Sequence, residues 1–201
     1  HLITDLKEID IWIKEAEEIG EIAVDTETSS LDPHQADLIG ISLSTKIGKA
    51  CYIPIGHKSK KCIDKGQVIK KLKPILEDPG IKKIGQNIKY DFIVFFKHGI
   101  ELTSLEDTML MSYVLDAGRN RHNLDTLAEI HLGHKTITFK DLVGTGKKEL
   151  NFSEVDIEKA KDYAAEDADI TLRLYHKFSK NLKLEKLTNI YENFEKPMIK
   201  I

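Results

Sequence analysis

Apolar and polar residues alternate along the chain in patterns that predict helices and strands. Apolar residues recur at helical spacing between residues 6 and 19, after a candidate N-cap at Thr4 or Asp5 and before Gly20. Three strand-like stretches follow, and a hairpin at residues 47–49 joins the last two of them. The predicted strands are residues 22–25, 38–44 and 50–55. Their close succession predicts an antiparallel meander.

The remaining two thirds of the chain predicts strands and helices in alternation, with one short strand at residues 82–85. Predicted helices cover residues 65–76, 88–98, 105–116, 124–132 and 157–180, and another begins at Leu184. Residues 135–152 are less periodic and predict a loop with a short helix. A meander followed by β–α alternation predicts an α/β fold: a mixed sheet flanked by helices, of which the ribonuclease-H-like arrangement is one example.

Composition is that of an ordinary globular protein, with 201 residues, 41% hydrophobic and 31% charged. The longest apolar run, residues 92–96, is far shorter than the roughly 20 residues that span a bilayer, and no signal peptide pattern opens the chain. Cys51 and Cys62 form no metal or disulfide pattern, which favours a reducing compartment. These features predict a cytoplasmic protein with no membrane contact. The first residue is not Met and the amphipathic pattern at the last residues is unfinished, so we expect a piece of a longer, monomeric protein.

The net charge of −3 argues against a domain that grips duplex nucleic acid by bulk electrostatics. Two acids nevertheless end the first strand, in "AVDTET". Side chains two apart on a strand share a face, so Asp25 and Glu27 are predicted neighbours. Either both point into solvent, or a multivalent cation holds them together. The tripeptide alone does not decide between these interpretations.

Two further stretches carry acids in suggestive positions. In "GQNIKYD", Asp91 lies one turn into a helix that Gln86 or Asn87 is placed to cap. In "YAAEDAD", Tyr163 and Asp167 are four apart and share a helix face, while Glu166 and Asp169 are expected to be exposed. Helix capping and ordinary packing explain each stretch when it is taken alone.

Together, "VDTET", "GQNIKYD" and "YAAEDAD" resemble the three motifs of the DEDD exonuclease superfamily, in its tyrosine-bearing subgroup. The forms "HKTITF" at residues 134–139 and "YAAEDADITL" at residues 163–172 are similar to the 3′–5′ proofreading exonuclease domain of bacterial family-A DNA polymerases. The resemblance covers nearly the whole chain. It implies an exonuclease domain over residues 1–182, and over residues 183–201 the start of a helical connection to a polymerase domain absent from this chain.

The resemblance also implies a mechanism and a site. Two divalent cations, Mg²⁺ or Mn²⁺, would assist water in hydrolysing the terminal phosphodiester of single-stranded or frayed DNA, releasing nucleoside 5′-monophosphates. Asp25 would bridge both metals, Glu27 and Asp167 would hold the ion that carries the attacking water, and Asp91 would support the second. Tyr163 would orient the water, because a hydroxyl with a pKa near 10 is a poor base.

Softer assignments concern the DNA strand. The resemblance places Leu31 and Phe139 against the terminal bases, although Phe139 is by residue type equally suited to the core. The other residues that it places near the strand's phosphates and sugars are Thr28, Gln86, Asn87, Tyr90 and Arg121. The partners thus implied are a single-stranded DNA 3′ end and a covalently linked polymerase domain.

Two rival functions are compatible with the same sequence features. A ribonuclease D-like exoribonuclease shares the four acids and the tyrosine, and a non-catalytic scaffold of a polymerase would share the fold. The intact acids disfavour the scaffold, and "HKTITF" disfavours the exoribonuclease. His131 and His134 have a spacing that a metal pair could use, but no Cys or acidic partner in sequence completes a zinc site, so exposure or helix termination is the expected role.

Overall fold

A computed structural model describes residues 1–59, 62–146 and 149–201; residues 60–61 and 147–148, the latter inside the predicted loop, lie outside it. Its centre is a five-stranded sheet in the order β3-β2-β1-β4-β5. The strands are β1 (Glu21–Thr28), β2 (Leu38–Lys46), β3 (Lys49–Pro54), β4 (Lys82–Gly85) and β5 (Leu105–Asp107). β1, β2 and β3 pair antiparallel, whereas β4 pairs parallel with both β1 and β5. The predicted mixed sheet, an antiparallel meander followed by parallel strands, is confirmed.

Helices flank this sheet and connect its parallel strands. The α-helices are α1 (Ile9–Ile19), α2 (Lys65–Glu77), α3 (Ile88–Lys97), α4 (Thr108–Asp116), α5 (Leu124–Leu132), α6 (Phe139–Val143), α7 (Ile157–Leu184) and α8 (Thr188–Ile190). A short 3₁₀ turn at Leu6–Glu8 precedes α1 and is capped by Asp5, one of the two predicted caps. Asp156 caps α7 as predicted. No helix among the described residues is long and apolar enough to cross a bilayer.

One element differs in kind from the prediction. Residues 105–116 were expected to form a single helix, but Leu105–Asp107 pairs with β4 as a strand and α4 begins only at Thr108. The cause is tertiary: Asp107 is the last strand residue and also the N-cap of α4, accepting hydrogen bonds from the backbone N–H groups of Met109 and Leu110. A three-residue strand is too short for its periodicity to show in the sequence.

Alternation along β1 assigns its two faces to different layers. Ile22 and Val24 belong to a core cluster with α1, α2 and α3, whereas Ala23 belongs to a second cluster formed largely by α7 and α4. Because side chains two apart on a strand share a face, Asp25 and Glu27 lie on the Ala23 side, toward α7. The strand therefore delivers both acids to the same layer as the long helix.

α7 approaches the sheet closely because its inner face is small. Ala160, Ala164 and Ala168 recur at four-residue spacing and are fully buried. Small side chains at this spacing let a helix backbone come near a neighbouring layer. The helix carries Tyr163 and Asp167 beside this stripe, so its close packing brings both toward the end of β1.

On the sheet face that carries Glu27, the Tyr52 side chain lies very close to the backbone of Gly40. Gly40 pairs with Glu27 across β1 and β2, and a Cβ on Gly40 would lie 2.1 Å from the hydroxyl oxygen of Tyr52. Tyr52 crosses this space and hydrogen-bonds His57 Nε2 at 2.7 Å. Only glycine leaves room for the tyrosine ring.

The last residues pack onto the same domain. Tyr191 is buried, donates a hydrogen bond from its hydroxyl to Glu106 Oε2 at 2.9 Å and accepts one from the Asp107 N–H at 3.0 Å. Lys196 Nζ lies 2.7 Å from Glu106 Oε1. These contacts fasten the C-terminal segment to β5, and Ile199 is buried in the core cluster that also contains Ile22.

Candidate active site

Three acids converge where β1 meets α7. Ligand oxygens of Asp25, Glu27 and Asp167 all lie within 4.8 Å of one another. Glu27 and Asp167 are buried and Asp25 is half-buried. Such proximity among three anions is costly without a counter-charge.

The turn between β4 and α3 explains the "GQN" sequence that precedes Asp91. A Cβ on Gly85 would lie 2.7 Å from Ile88 Cβ, so a larger residue there would displace the start of the helix. Asn87 has φ 58° and ψ 45°, the left-handed region that asparagine tolerates better than most residues. The turn therefore sets where α3 begins, and with it the position of Asp91 one turn later.

A residue that sequence reasoning missed caps this helix. The side chains of Gln86 and Asn87 were candidate caps, yet Asn87 makes no side-chain cap bond; the carboxylate of Asp107 instead accepts the N–H groups of Asn87 (3.1 Å) and Ile88 (3.0 Å). The same carboxylate caps α4. One buried acid thus starts two helices. Its signal in the sequence was an Asp before an apolar run, which the predicted helix over residues 105–116 hid.

The Asp91 side chain is hydrogen-bonded to β1 at Thr26, the residue between Asp25 and Glu27. Its Oδ1 accepts hydrogen bonds from the N–H (3.0 Å) and the hydroxyl (2.5 Å) of Thr26, and the side chain is 2% exposed. Thr26 is the second residue that sequence reasoning missed, since nothing local marks a threonine as the partner of an acid 65 positions away. It fixes one oxygen of Asp91.

Tyr163 lies against Asp167 and a group of aromatic rings. Asp167 lies one turn along α7, and its charge acts on the Tyr163 hydroxyl. Phe139 meets the Tyr163 ring edge-on at 6.2 Å and stacks on Phe152 at 6.4 Å, with 9° between the ring planes. Phe139 keeps 43% of its surface exposed, so it is neither a core residue nor a free one.

Every acid in this group holds its proton more tightly than usual. Burial raises the pKa of Asp25 to about 6, an effect that the nearby Thr26 N–H partly offsets. Burial and then the charge of Asp25 raise the pKa of Glu27, of Asp91 and of Asp167. Burial, followed by the Asp167 charge, raises the pKa of Tyr163 above its usual range, so this phenol stays protonated at neutral pH.

The donor set fits a hard divalent cation. It consists of carboxylate oxygens with no thiolate or imidazole among them, which suits Mg²⁺ or Mn²⁺ better than zinc. A multivalent cation would offset the unfavourable repulsion among the buried acids. The structure therefore favours the cation interpretation of "DTE" over the solvent interpretation.

Residues expected to meet DNA lie in different environments. Leu31 is 96% exposed, and Asn87 and Arg121 are exposed as well. Gln86, by contrast, is engaged within the protein: its Nε2 donates to the His122 carbonyl at 2.7 Å and its Oε1 accepts from the Thr108 hydroxyl. This amide braces the loop before α5, and only its remaining donor and acceptor positions are open to a ligand.

Thr28 and Tyr90 form one local unit beside the acids. The Tyr90 hydroxyl hydrogen-bonds the Thr28 hydroxyl and donates to the Ser30 carbonyl. Both side chains are half-buried. The unit holds the start of the loop that carries Leu31.

Two expectations about α7 are wrong. Glu166 and Asp169 were expected to be exposed without partners, but both are half-buried. Glu166 accepts hydrogen bonds from His134 Nε2 and the Ile137 N–H, each at 2.7 Å. Asp169 accepts the Gly48 N–H at the hairpin tip and lies 3.8 Å from Arg173. Loops distant in sequence fold back onto the helix and supply these partners.

The histidine pair does not build a metal site in the described residues. The ring of His131 meets Phe178 edge-on at 4.8 Å, and that of His134 bonds Glu166. Gly133 ends α5 in the left-handed conformation between them. The expected part in ending the helix therefore falls to the glycine, and neither imidazole is simply exposed.

Comparison with known proteins decides the family. Residues 1–183 match the family model described as 3′-5′ exonuclease. The chain belongs to this family. The exonuclease domain is 42% identical over 220 residues to DNA polymerase I of Rhizobium leguminosarum, covering 99% of this chain and 22% of that relative. The chain thus spans about a fifth of the length of the curated relative.

Solved structures support the fold of this exonuclease domain. The POL domain of Pol1 from M. smegmatis, in complex with DNA primer-template and dNTP, superposes with a TM-score of 0.76 at 17% identity, covering 100% of this chain and 30% of that one. Brucella melitensis NrnC with bound Mg²⁺ superposes with a TM-score of 0.65 at 22% identity, covering 96% of this chain and 84% of that one. The predicted ribonuclease-H-like architecture is confirmed by these likenesses.

Proposed function

We propose that this domain hydrolyses the terminal phosphodiester at the 3′ end of single-stranded or frayed DNA, as the proofreading part of a DNA polymerase I. The observation that carries the proposal is the convergence of Asp25, Glu27 and Asp167 within 4.8 Å, beside Asp91. The family match and the relative from Rhizobium leguminosarum support the reaction and the polymerase context. Residues 183–201 then form the start of a connection to a polymerase domain.

The four acids would hold two divalent cations, Mg²⁺ or Mn²⁺. Such ions, when bound, supply the positive charge that acidifies the attacking water and stabilises the departing 3′ oxygen. By the family resemblance, Asp25 would serve both ions. Its charge raises the pKa of the three other acids, which is consistent with a shared site. Thr26 orients Asp91 by occupying one of its oxygens.

Tyr163 would orient the attacking water. Its phenol remains protonated because its pKa lies above the usual range, so it acts as a hydrogen-bonding group and not as the base. The contacts of its ring with Phe139 and Phe152 hold the phenol beside Asp167. A water at the hydroxyl oxygen would then be held beside the acids.

The terminal bases would lie against Leu31 and Phe139. Both are substantially exposed, and stacking on such side chains is insensitive to base identity. Thr28, Gln86, Asn87, Tyr90 and Arg121 would contact sugars and phosphates. A frayed end costs less to separate than a paired one, so mismatched termini would be removed preferentially.

The decisive experiment measures mononucleotide release from a labelled single-stranded oligonucleotide. We expect release with Mg²⁺ or Mn²⁺, none with chelator, and none from Asp25→Ala. Matched DNA and RNA oligonucleotides test the ribonuclease D-like alternative, which a preference for RNA would establish instead. Equal activity of Asp25→Ala and the parent would overturn the metal assignment, and an inactive parent would support the scaffold.

A further inference from the structure

One carboxylate fastens the segment between α5 and α6 to the helix that carries Tyr163. Glu166 Oε1 accepts a hydrogen bond from His134 Nε2 and its Oε2 accepts one from the Ile137 N–H, both at 2.7 Å. Two oxygens of one side chain thus contact a side chain and a backbone group three residues apart. A second acid, Asp125 of α5, accepts the Thr136 hydroxyl at 2.6 Å.

This fastened segment ends directly at Phe139. Thr138 caps α6, accepting a hydrogen bond from the Asp141 N–H, and Phe139 is the first residue of that helix. Its ring then packs edge-on against Tyr163 and stacks on Phe152. Glu166 lies three residues after Tyr163 and next to Asp167 on α7. The same stretch of α7 therefore carries Tyr163 and the carboxylate that holds the segment leading to Phe139.

We propose that Glu166 is a positioning residue that sets Phe139 against Tyr163 by holding residues 134–137 on α7, and thereby shapes the surface that receives the terminal base. The inference rests on the proposed function. Phe139 is 43% exposed and begins a five-residue helix, so the position of its ring depends on where the preceding segment enters that helix. Two charge-assisted hydrogen bonds to one half-buried carboxylate restrict that movement.

An electrostatic role for Glu166 is the competing explanation. Its charge adds to the effects that raise the pKa of Asp167. A purely electrostatic role depends on the charge, whereas a positioning role depends on the acceptor oxygen. Glu166→Gln removes the charge and keeps an acceptor for the Ile137 N–H, so it separates the two explanations.

The test compares Glu166→Ala and Glu166→Gln with the parent and with Glu158→Ala. Glu158 is an exposed acid of the same helix whose ion pair is with Lys161 at 3.0 Å, remote from the segment. Hydrogen exchange of residues 134–139, measured in chelator, reports the fastening without any reaction. We expect faster exchange there in Glu166→Ala, a smaller increase in Glu166→Gln, which keeps one acceptor oxygen, and parental exchange in Glu158→Ala.

Steady-state kinetics with a single-stranded DNA oligonucleotide and Mn²⁺ then report the consequence. We expect KM to rise about tenfold in Glu166→Ala with kcat changed less than about threefold, matching the loss of one base-stacking contact. Glu166→Gln should restore most of the KM. The double variant Glu166→Ala/Phe139→Ala should have the KM of Phe139→Ala alone, because both act through one ring.

The inference would be overturned by unchanged exchange at residues 134–139 in Glu166→Ala, by equal defects in Glu166→Gln and Glu166→Ala, or by additive KM effects in the double variant. A parent protein that releases no mononucleotide overturns the proposed function and this inference together. An active parent with an unchanged KM in Glu166→Ala overturns the inference alone.

Discussion

Replacing Asp25 with asparagine should stabilise the metal-free protein at alkaline pH. The pKa of Asp25 in the fold is about 6 against an ordinary value of 3.8. Because the folded-state pKa is the higher one, the folded protein binds the proton more tightly. The resulting stabilisation is present below pH 3.8 and is lost as the pH rises through about 6. At pH 8 the folded protein therefore bears the whole cost of the charge.

That cost is about 3 kcal/mol, since the pKa difference is about two units and each unit corresponds to about 1.4 kcal/mol. The Asp25→Asn substitution would remove the charge that raises the pKa of the other three acids and change the size of the side chain little. In chelator at pH 8 we expect a gain of up to about 3 kcal/mol in unfolding free energy. For a chain of this size that corresponds to a rise in Tm of about 6–12 °C.

Urea unfolding in chelator at pH 4 and pH 8 measures this gain, with Asp162→Asn as the control for loss of an exposed charge on α7. The gain should be small at pH 4, and the control should change stability by less than about 0.5 kcal/mol at either pH. Adding Mn²⁺ should stabilise the parent more than Asp25→Asn. An Asp25→Asn protein that is less stable than the parent in chelator at pH 8, or equally affected at both pH values, would refute the repulsion argument.

Further predictions concern packing and chemistry. Gly40→Ala should destabilise the protein by about 1–3 kcal/mol in urea unfolding, because its Cβ would overlap Tyr52. The control Gly66→Ala, in α2, adds a Cβ at an ordinary contact distance and should be neutral or stabilise by up to about 1 kcal/mol; equal losses in the two variants would contradict the overlap. Tyr163→Phe should lower kcat by about 10²-fold in the oligonucleotide assay with Tm unchanged, since the lost hydroxyl orients the water; an unchanged kcat would remove Tyr163 from the mechanism. Tyr191→Phe should lower the free energy of unfolding by about 1–3 kcal/mol, because the Glu106 carboxylate and the Asp107 N–H each lose the tyrosine hydroxyl as a hydrogen-bond partner. Thermal or urea unfolding measures this loss, and a value near zero would show that the C-terminal segment is only loosely attached.

Local patterns in the sequence were sufficient for most of the framework. The hairpin between β2 and β3, the caps Asp5 and Asp156 and the glycine that ends α1 all follow from residues within a few positions of one another. The proximity of Asp25 and Glu27 follows from strand alternation alone. Asp91 and Asp167 were expected near them because the three motifs together resemble those of an exonuclease family.

The supporting contacts were beyond sequence reasoning because their partners are remote. Thr26 holds Asp91 across 65 positions, and Glu166 holds His134 across 32. Asp107 was assigned incorrectly for a different reason. A three-residue strand has too few side chains to reveal a period, so Leu105–Asp107 was predicted as part of the helix that follows it. The motif resemblance brought the acids together, but it did not identify the groups that orient them.

Distance along the chain between the acids has a kinetic consequence. Asp25 and Glu27, Asp91 and Asp167 lie on elements that meet only after β1 has paired with β4 and α7 has closed over the sheet. Contacts of such long sequence separation form late when loop closure must precede them. A cation that needs all four acids would bind the completed fold and little else, so Mn²⁺ should slow the unfolding rate and leave the folding rate nearly unchanged. The ions would then stabilise the completed fold without helping it to form.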